Sequence, residues 1–169
     1  ANANNQEMEA LTAKAKEMGA QTKFSGTESA EAFTYMAQAG WQVQDMIDGI
    51  GGIMSLAAAD GLDLASTTDI VSNALTAFGM TAKDTAEFAD VLAVASSATN
   101  TNVSDLGEAF KYIAPVAGAM GYSIQDASVA LGLMSNNAVK GSMAGTALKT
   151  ALANMAAPTD NMAAAMKKY

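Results

Sequence analysis

The chain has 169 residues, half of them hydrophobic but only 6% aromatic, and a formal net charge of −8. That negative balance, with no basic stripe and no aromatic platform, excludes free binding to nucleic acid, which needs positive charge against phosphate. Cysteine and histidine are both absent, which removes disulfides, thiolate metal sites and the commonest metal ligand and general base at neutral pH.

The apolar content is mostly Ala, Met and Leu, strand-favouring residues are sparse, and there are two prolines. These are good helix formers with room for long helices. The fold class expected is all-α, an array of about eight or nine short amphipathic helices packed as helical hairpins. The opening Ala1-Asn2-Ala3-Asn4 is polar, shows no signal peptide and lacks an initiator Met, so the chain reads as processed or as part of something longer.

The first helix is expected over Asn5 to Met18, ended by Gly19. Met8, Leu11, Ala15 and Met18 form a heptad-like seam, which fits either the end of an upstream coiled coil or a simple docking helix. Residues 1–20 are set apart on this basis from a helical core region, 21–159, and from the start of a further, truncated helix, 160–169. Ser25 and Glu28 have capping-box spacing for a second helix, with Phe24 placed as a staple. Ala30, Phe33, Met36 and Ala37 give its apolar face, Gly40 closes it, and Trp41 is a packing anchor at the turn.

The third helix spans Val43 to about Ala59 and contains Gly49, Gly51 and Gly52. Each glycine costs a helix interior ~1 kcal/mol against alanine, so close helix approach or a hinge is implied. A fourth helix covers Leu64 to Phe78 and a fifth Ala82 to Ser97. Ser104 is expected to cap the sixth, which runs to Met120 with Pro115 inside and so should kink or divide. The seventh spans Ile124 to Asn136 and the eighth Ser142 to Ala156, ended by Pro158. A ninth covers Asp160 to Lys168.

One unit recurs. Gly121-Tyr122-Ser123, with Asp126 after it, places a left-handed glycine two residues before an N-cap and its acidic partner. Gly79-Met80-Thr81 with Asp84 repeats it, and Gly40-Trp41-Gln42 with Asp45 repeats the Gly and the Asp. The glycines are 39 and 42 residues apart, which suggests stacked helix pairs. The same caps would also serve an all-helical chain with no repeat. In the eighth helix, Gly141, Ala144, Gly145, Ala147 and Ala151 would let another backbone come close. The twelve methionines serve as adaptable core or as a fluid interface.

The chemistry on offer is slight. Asp45 with Asp48 and Asp60 with Asp63 are paired carboxylates, but at cap and turn positions, where Asp accepts backbone N–H groups. Asn100, Asn102, Ser104 and Asp105 lack the glycine and distal Glu of an EF-hand loop. Lys140-Gly141-Ser142 has the wrong order for a phosphate loop. No catalytic residue, metal site or cofactor is expected; Asp60 and Asp63 would be the first suspects for any hydrolysis.

The chain resembles the core region of bacteriophage tail tape measure proteins of the TP901 type, over about Leu11 to Thr159. The residues carrying the resemblance begin with Thr22-Lys23-Phe24-Ser25 and Ala39-Gly40-Trp41, followed by Asp63-Leu64-Ala65 and Phe78-Gly79. Phe88-Ala89-Asp90-Val91-Leu92 and Ala114-Pro115-Val116-Ala117 come next. The most specific block is Lys140-Gly141-Ser142, Ala144-Gly145-Thr146-Ala147-Leu148 and Pro158-Thr159.

The resemblance implies a non-enzymatic virion component. It would act in tail assembly, length determination and genome delivery, in the tail tube lumen and, during assembly, in the host cytoplasm. Tail tube and tail-tip proteins, copies of itself, a tail assembly chaperone and the host membrane are the partners implied, with no sequence-specific nucleic acid binding. Two other readings stay open at this level: a membrane-active module that helps breach the host envelope, and a helical-repeat adaptor unrelated to phage.

Overall fold

A computed structural model describes residues 3–167. The polar start at Ala1-Asn2 and the expected end of the ninth helix at Lys168 lie outside the described residues. Among the described residues nine α-helices follow one another: α1 (Asn5–Gln21), α2 (Gly26–Gln38), α3 (Val43–Asp60), α4 (Leu64–Phe78), α5 (Thr85–Ala98), α6 (Val103–Ala119), α7 (Ile124–Asn136), α8 (Gly141–Ala156) and α9 (Asp160–Met166). A single 3-10 turn, Ala82–Asp84, precedes α5, where the sequence suggested one continuous helix.

Helices α1 to α8 each bury a stripe in a shared core. Met36, Ile50, Ile53, Met54, Phe88 and Leu92 lie at its centre. Phe110 meets Phe78 edge-on at 5.8 Å between ring centroids. The most extensive packing joins helices two apart in sequence: α6 with α8, α3 with α5, and α4 with α6. The array therefore has two rows, α2–α4–α6–α8 and α3–α5–α7, while α1 lies mainly across α2.

The first row keeps strict time. Its helices begin at residues 26, 64, 103 and 141, at intervals of 38, 39 and 38. Gly107, the fifth residue of α6, abuts Ile70, the seventh of α4; Gly145, the fifth of α8, abuts Ala109, the seventh of α6. A repeat of helix pairs with nearest-neighbour contacts is the architecture of a solenoid.

Five of the loops use the same turn. Gly40, Gly61, Gly79 and Gly121 have φ of 91°, 69°, 68° and 78°, and Ala138 has 64°. In each, the next residue's N–H reaches the carbonyl five residues back: Trp41 to Met36, Leu62 to Ala57, Met80 to Leu75, Tyr122 to Ala117 and Val139 to Met134. This is the Schellman closure, which satisfies carbonyls the helix end leaves open. The recurring unit of the sequence is thus present at Gly40, Gly79 and Gly121, and two further copies were hidden. Asp63 replaces the hydroxyl cap after Gly61, and alanine replaces the glycine at position 138.

Other expectations are corrected. Gly19 does not end α1, which continues to Gln21. A Cβ there would stand 2.4 Å from the Gly26 nitrogen, so this glycine provides space and not a turn. Ala30 is exposed, and the buried face of α2 is Ser29, Ala32, Phe33 and Met36. Asn102, not Ser104, caps α6, accepting the Asp105 N–H at 2.7 Å, because the helix starts at Val103, earlier than a cap at Ser104 allows. Pro115 does not divide α6: it is exposed, and water can serve the Lys111 carbonyl that proline's missing N–H leaves free. Gly51 approaches nothing.

Candidate functional site

The residues singled out in sequence fall into two structural groups. Gly40, Gly79 and Gly121 are the left-handed turn residues, and a Cβ at any of them would meet open space, so backbone conformation alone selects glycine. Trp41 follows the first of these and folds its ring over α3. A Cβ on Gly49 would lie 2.3 Å from the ring carbon Cζ3, so the glycine makes the seat for the indole.

The second group is the α7–α8 junction. Lys140 holds the N-cap position of α8 without capping it by its side chain. Its Nζ donates instead to Asn100 Oδ1 at 3.1 Å, and the Asn100 N–H donates to Asn136 Oδ1 at 2.8 Å. The loop before α8 is thereby tied to the loop before α6, one repeat back. The same kind of tie occurs earlier, where the Val103 N–H donates to Asp60 Oδ2 at 3.0 Å. Gly141 takes φ of 54° and starts the helix.

Gly145, with buried Ala144 beside it, then brings α8 to backbone distance from α6. A Cβ on Gly145 would lie 2.4 Å from the Ala109 carbonyl oxygen and 2.9 Å from its Cα. Leu148 is half-buried against the core, Pro158 is half-buried after the helix end, and Ser142 is exposed. Ala147 and Ala151, expected to admit a neighbouring backbone, are exposed.

Sequence reasoning expected close approach at Gly52 but missed three glycines of the same kind, Gly107, Gly118 and Gly132. Gly52 lies against the Thr85 backbone, Gly107 against Ile70, Gly118 against the Ala77 carbonyl and Gly132 against the Thr99 methyl. A signal for Gly107 was present, since it precedes Gly145 by 38 residues, one repeat.

The carboxylates are occupied with caps. Asp126 accepts the Ser123 N–H at 3.0 Å and hydroxyl at 2.7 Å, and Asp84 does the same for Thr81. Asp45 accepts the Gln42 N–H, Asp48 the Gln44 amide and Asp63 the Ser66 N–H. Hydrogen bonds from Ser66 hold the Asp63 carboxyl below its ordinary range. Those from Thr81, Ser123 and Ser25 do the same to Asp84, Asp126 and Glu28. Among the described residues no three acidic, histidine or cysteine side chains cluster as metal ligands would. No described helix is long and apolar enough to cross a membrane. What the arrangement does is mechanical: it locks helix to helix at backbone distance.

Residues 12–169 match the family model described as phage-related minor tail protein. The chain is 39% identical over 168 residues to the tape measure protein of Pneumococcus phage Dp-1, covering 99% of this chain and 15% of that protein. It is 28% identical over 162 residues to the probable tape measure protein of Escherichia phage P2, covering 96% of this chain and 20% of that one. The chain thus spans a fifth or less of the length of these relatives. No solved structure gives a significant match.

Proposed function

The chain belongs to the phage-related minor tail protein family and is a phage tail component, and we propose that it is a packing module of a tape measure protein. In this reading it acts in tail assembly, length determination and genome delivery, inside the tail tube lumen of the virion and, before that, in the host cytoplasm. Its partners are tail tube and tail-tip proteins, copies of itself and a tail assembly chaperone.

The observation that carries the reading is the regular row of α2, α4, α6 and α8, in which glycines seat α6 on α4 and α8 on α6. A part that must keep its shape in a narrow tube gains from contacts that leave side chains no room to shift. Deletion of residues 121–158 from the phage gene should then give defective tails or particles that fail to deliver DNA. Fully infectious virions with normal tails would refute it. An adaptor unrelated to phage is set aside by the family match.

A second reading is favoured by exposed Val94 on α5 and exposed Val129 and Leu133 on α7, which line one apolar groove. Here the helices present these faces to the host membrane after ejection. Leakage of dye from anionic liposomes, lost in a Val129→Asp, Leu133→Asp variant, is the expected result; intact vesicles at every pH and lipid composition would remove this reading.

A further inference from the structure

α8 repeats the pattern of α6 but leaves part of it bare. Ala109, Ile113 and Ala117 of α6 are 1%, 0% and 0% exposed. A shift of 38 residues, the interval between the two helices, lands on Ala147, Ala151 and Met155, all of which are exposed. The polar side keeps step as well, since Lys111 and Lys149 are both exposed. Ala109 is covered by the backbone of α8 at Gly145, and Ile70 of α4 is met by Gly107 of α6. Ala32, the seventh residue of α2, is fully buried. The seventh position of the row is therefore covered in three helices and open only at Ala147 of α8.

We infer that the face formed by Ala147, Ala151 and Met155 is a docking site for a further amphipathic helix of the row's own pattern. That helix runs parallel to α8, as α6 runs parallel to α4, and carries a small residue at its fifth position. The argument is continuity with a contact already made twice in this molecule, Gly107 on Ile70 and Gly145 on Ala109, and it does not depend on the tail assignment. A second copy of the chain entering end-on does not fit. Its first row helix, α2, already has α1 packed across it, with Gly19 at the Gly26 backbone and the Ala15 carbonyl facing Gly26. Two copies would also each bring a net charge of −8.

The test uses the chain with labelled alanine and methionine methyl groups. The probe is an end-blocked peptide with the sequence of residues 141–156, which has glycine at its fifth position. Saturable shifts at the Ala147, Ala151 and Met155 methyls are expected, with none at exposed Ala30. A roughly millimolar affinity is enough to see them. A peptide with leucine in place of that glycine should give no shift. Ala147→Glu should abolish the response while keeping the melting temperature, because the side chain is exposed, and Ala147→Ser should retain it. Methyls unmoved by either peptide, or moved equally by both, would overturn the proposal. Shifts that depend on the concentration of the chain alone would overturn it in favour of self-association.

Discussion

The two rows of this array are made from similar helices but closed by different means. In the α4–α6–α8 stretch, backbone meets backbone: Gly118 lies at the Ala77 carbonyl and Gly145 at the Ala109 carbonyl. The α3–α5–α7 row has one such contact, Gly52 at the Thr85 backbone, and side chains fill the gap at its other two close glycines. The Trp41 ring and the Thr85 hydroxyl occupy the space over Gly49, and the Thr99 methyl that over Gly132. The first row keeps intervals of 38 or 39 residues throughout. The second begins at 43, 85 and 124, with a 3-10 turn taking up slack before α5. A carbonyl cannot change rotamer, so a backbone contact fixes spacing, whereas a side chain can adjust to small differences.

The largest effect should come from breaking the backbone contact. Gly145→Leu is expected to destabilise the chain by about 3 kcal/mol or more, since the new side chain must displace α6 as a unit. Gly145→Ala should cost about 2 kcal/mol even after alanine's helix preference is counted. Gly107→Ala is the contrast. The atoms nearest its Cβ would belong to the Ile70 side chain, at 2.6 Å, which can turn aside. Its cost should be offset by about 1 kcal/mol of helix propensity, leaving a net change near zero. Urea midpoints of the three variants measure this; equal losses would erase the distinction.

Trp41→Ala tests the side-chain-filled row. The indole is half-buried, so a loss of about 2 kcal/mol is expected, less than for a fully buried tryptophan. Gly49→Ala should be costly in the native chain yet near neutral in the Trp41→Ala background, where only the Thr85 hydroxyl, 3.1 Å from the new Cβ, offsets alanine's helix preference of about 1 kcal/mol. A double-mutant cycle with no coupling would show that the ring and the glycine do not form one joint.

The two rows were not equally legible in sequence. Helical period and caps set the elements of both, because apolar spacing and Ser123 or Ser25 with their acidic partners are local signals. Turn glycines were legible for the same reason, as their requirement is conformational and lies within the loop. The close contacts were legible only in part. Approach was expected at Gly145 and in α3, but Gly19 read as a helix-ending turn although a Cβ there would meet the Gly26 backbone, and Gly107, Gly118 and Gly132 gave no local sign of the neighbours they meet. Ala138 was invisible because alanine carries no left-handed signal, although it occupies the place glycine holds in four other loops. Ala147 and Ala151 misled in the opposite sense, since small residues admit a neighbour without guaranteeing one.

Ala138 supplies a smaller test of how the repeated turn is made. Its φ of 64° strains an alanine that a glycine would relieve. Ala138→Gly should stabilise the chain by about 1 kcal/mol, and Gly121→Ala should destabilise it by a similar amount. Thermal melts should therefore move in opposite directions. Movement in the same direction would mean that the left-handed conformation is not what selects the residue.

The mildest difference lies within the first row, between the caps of its two halves, and acid should expose it. α5 and α7 rely on Asp84 and Asp126, and α2 and α4 on Glu28 and Asp63, all four held below their ordinary carboxyl values by cap hydrogen bonds. A carboxyl lowered in the folded state contributes stability above its unfolded value and loses it as pH falls through the lowered one. α6 is capped by the Asn102 amide, which does not titrate, and α8 has no side-chain cap. Below about pH 4, amide protection corrected for intrinsic exchange should fall first at the starts of α2, α4, α5 and α7. The starts of α6 and α8 should hold, with α8 kept by the Gly145 contact. Uniform loss at all six starts would mean that acid acts through overall charge and not through the caps.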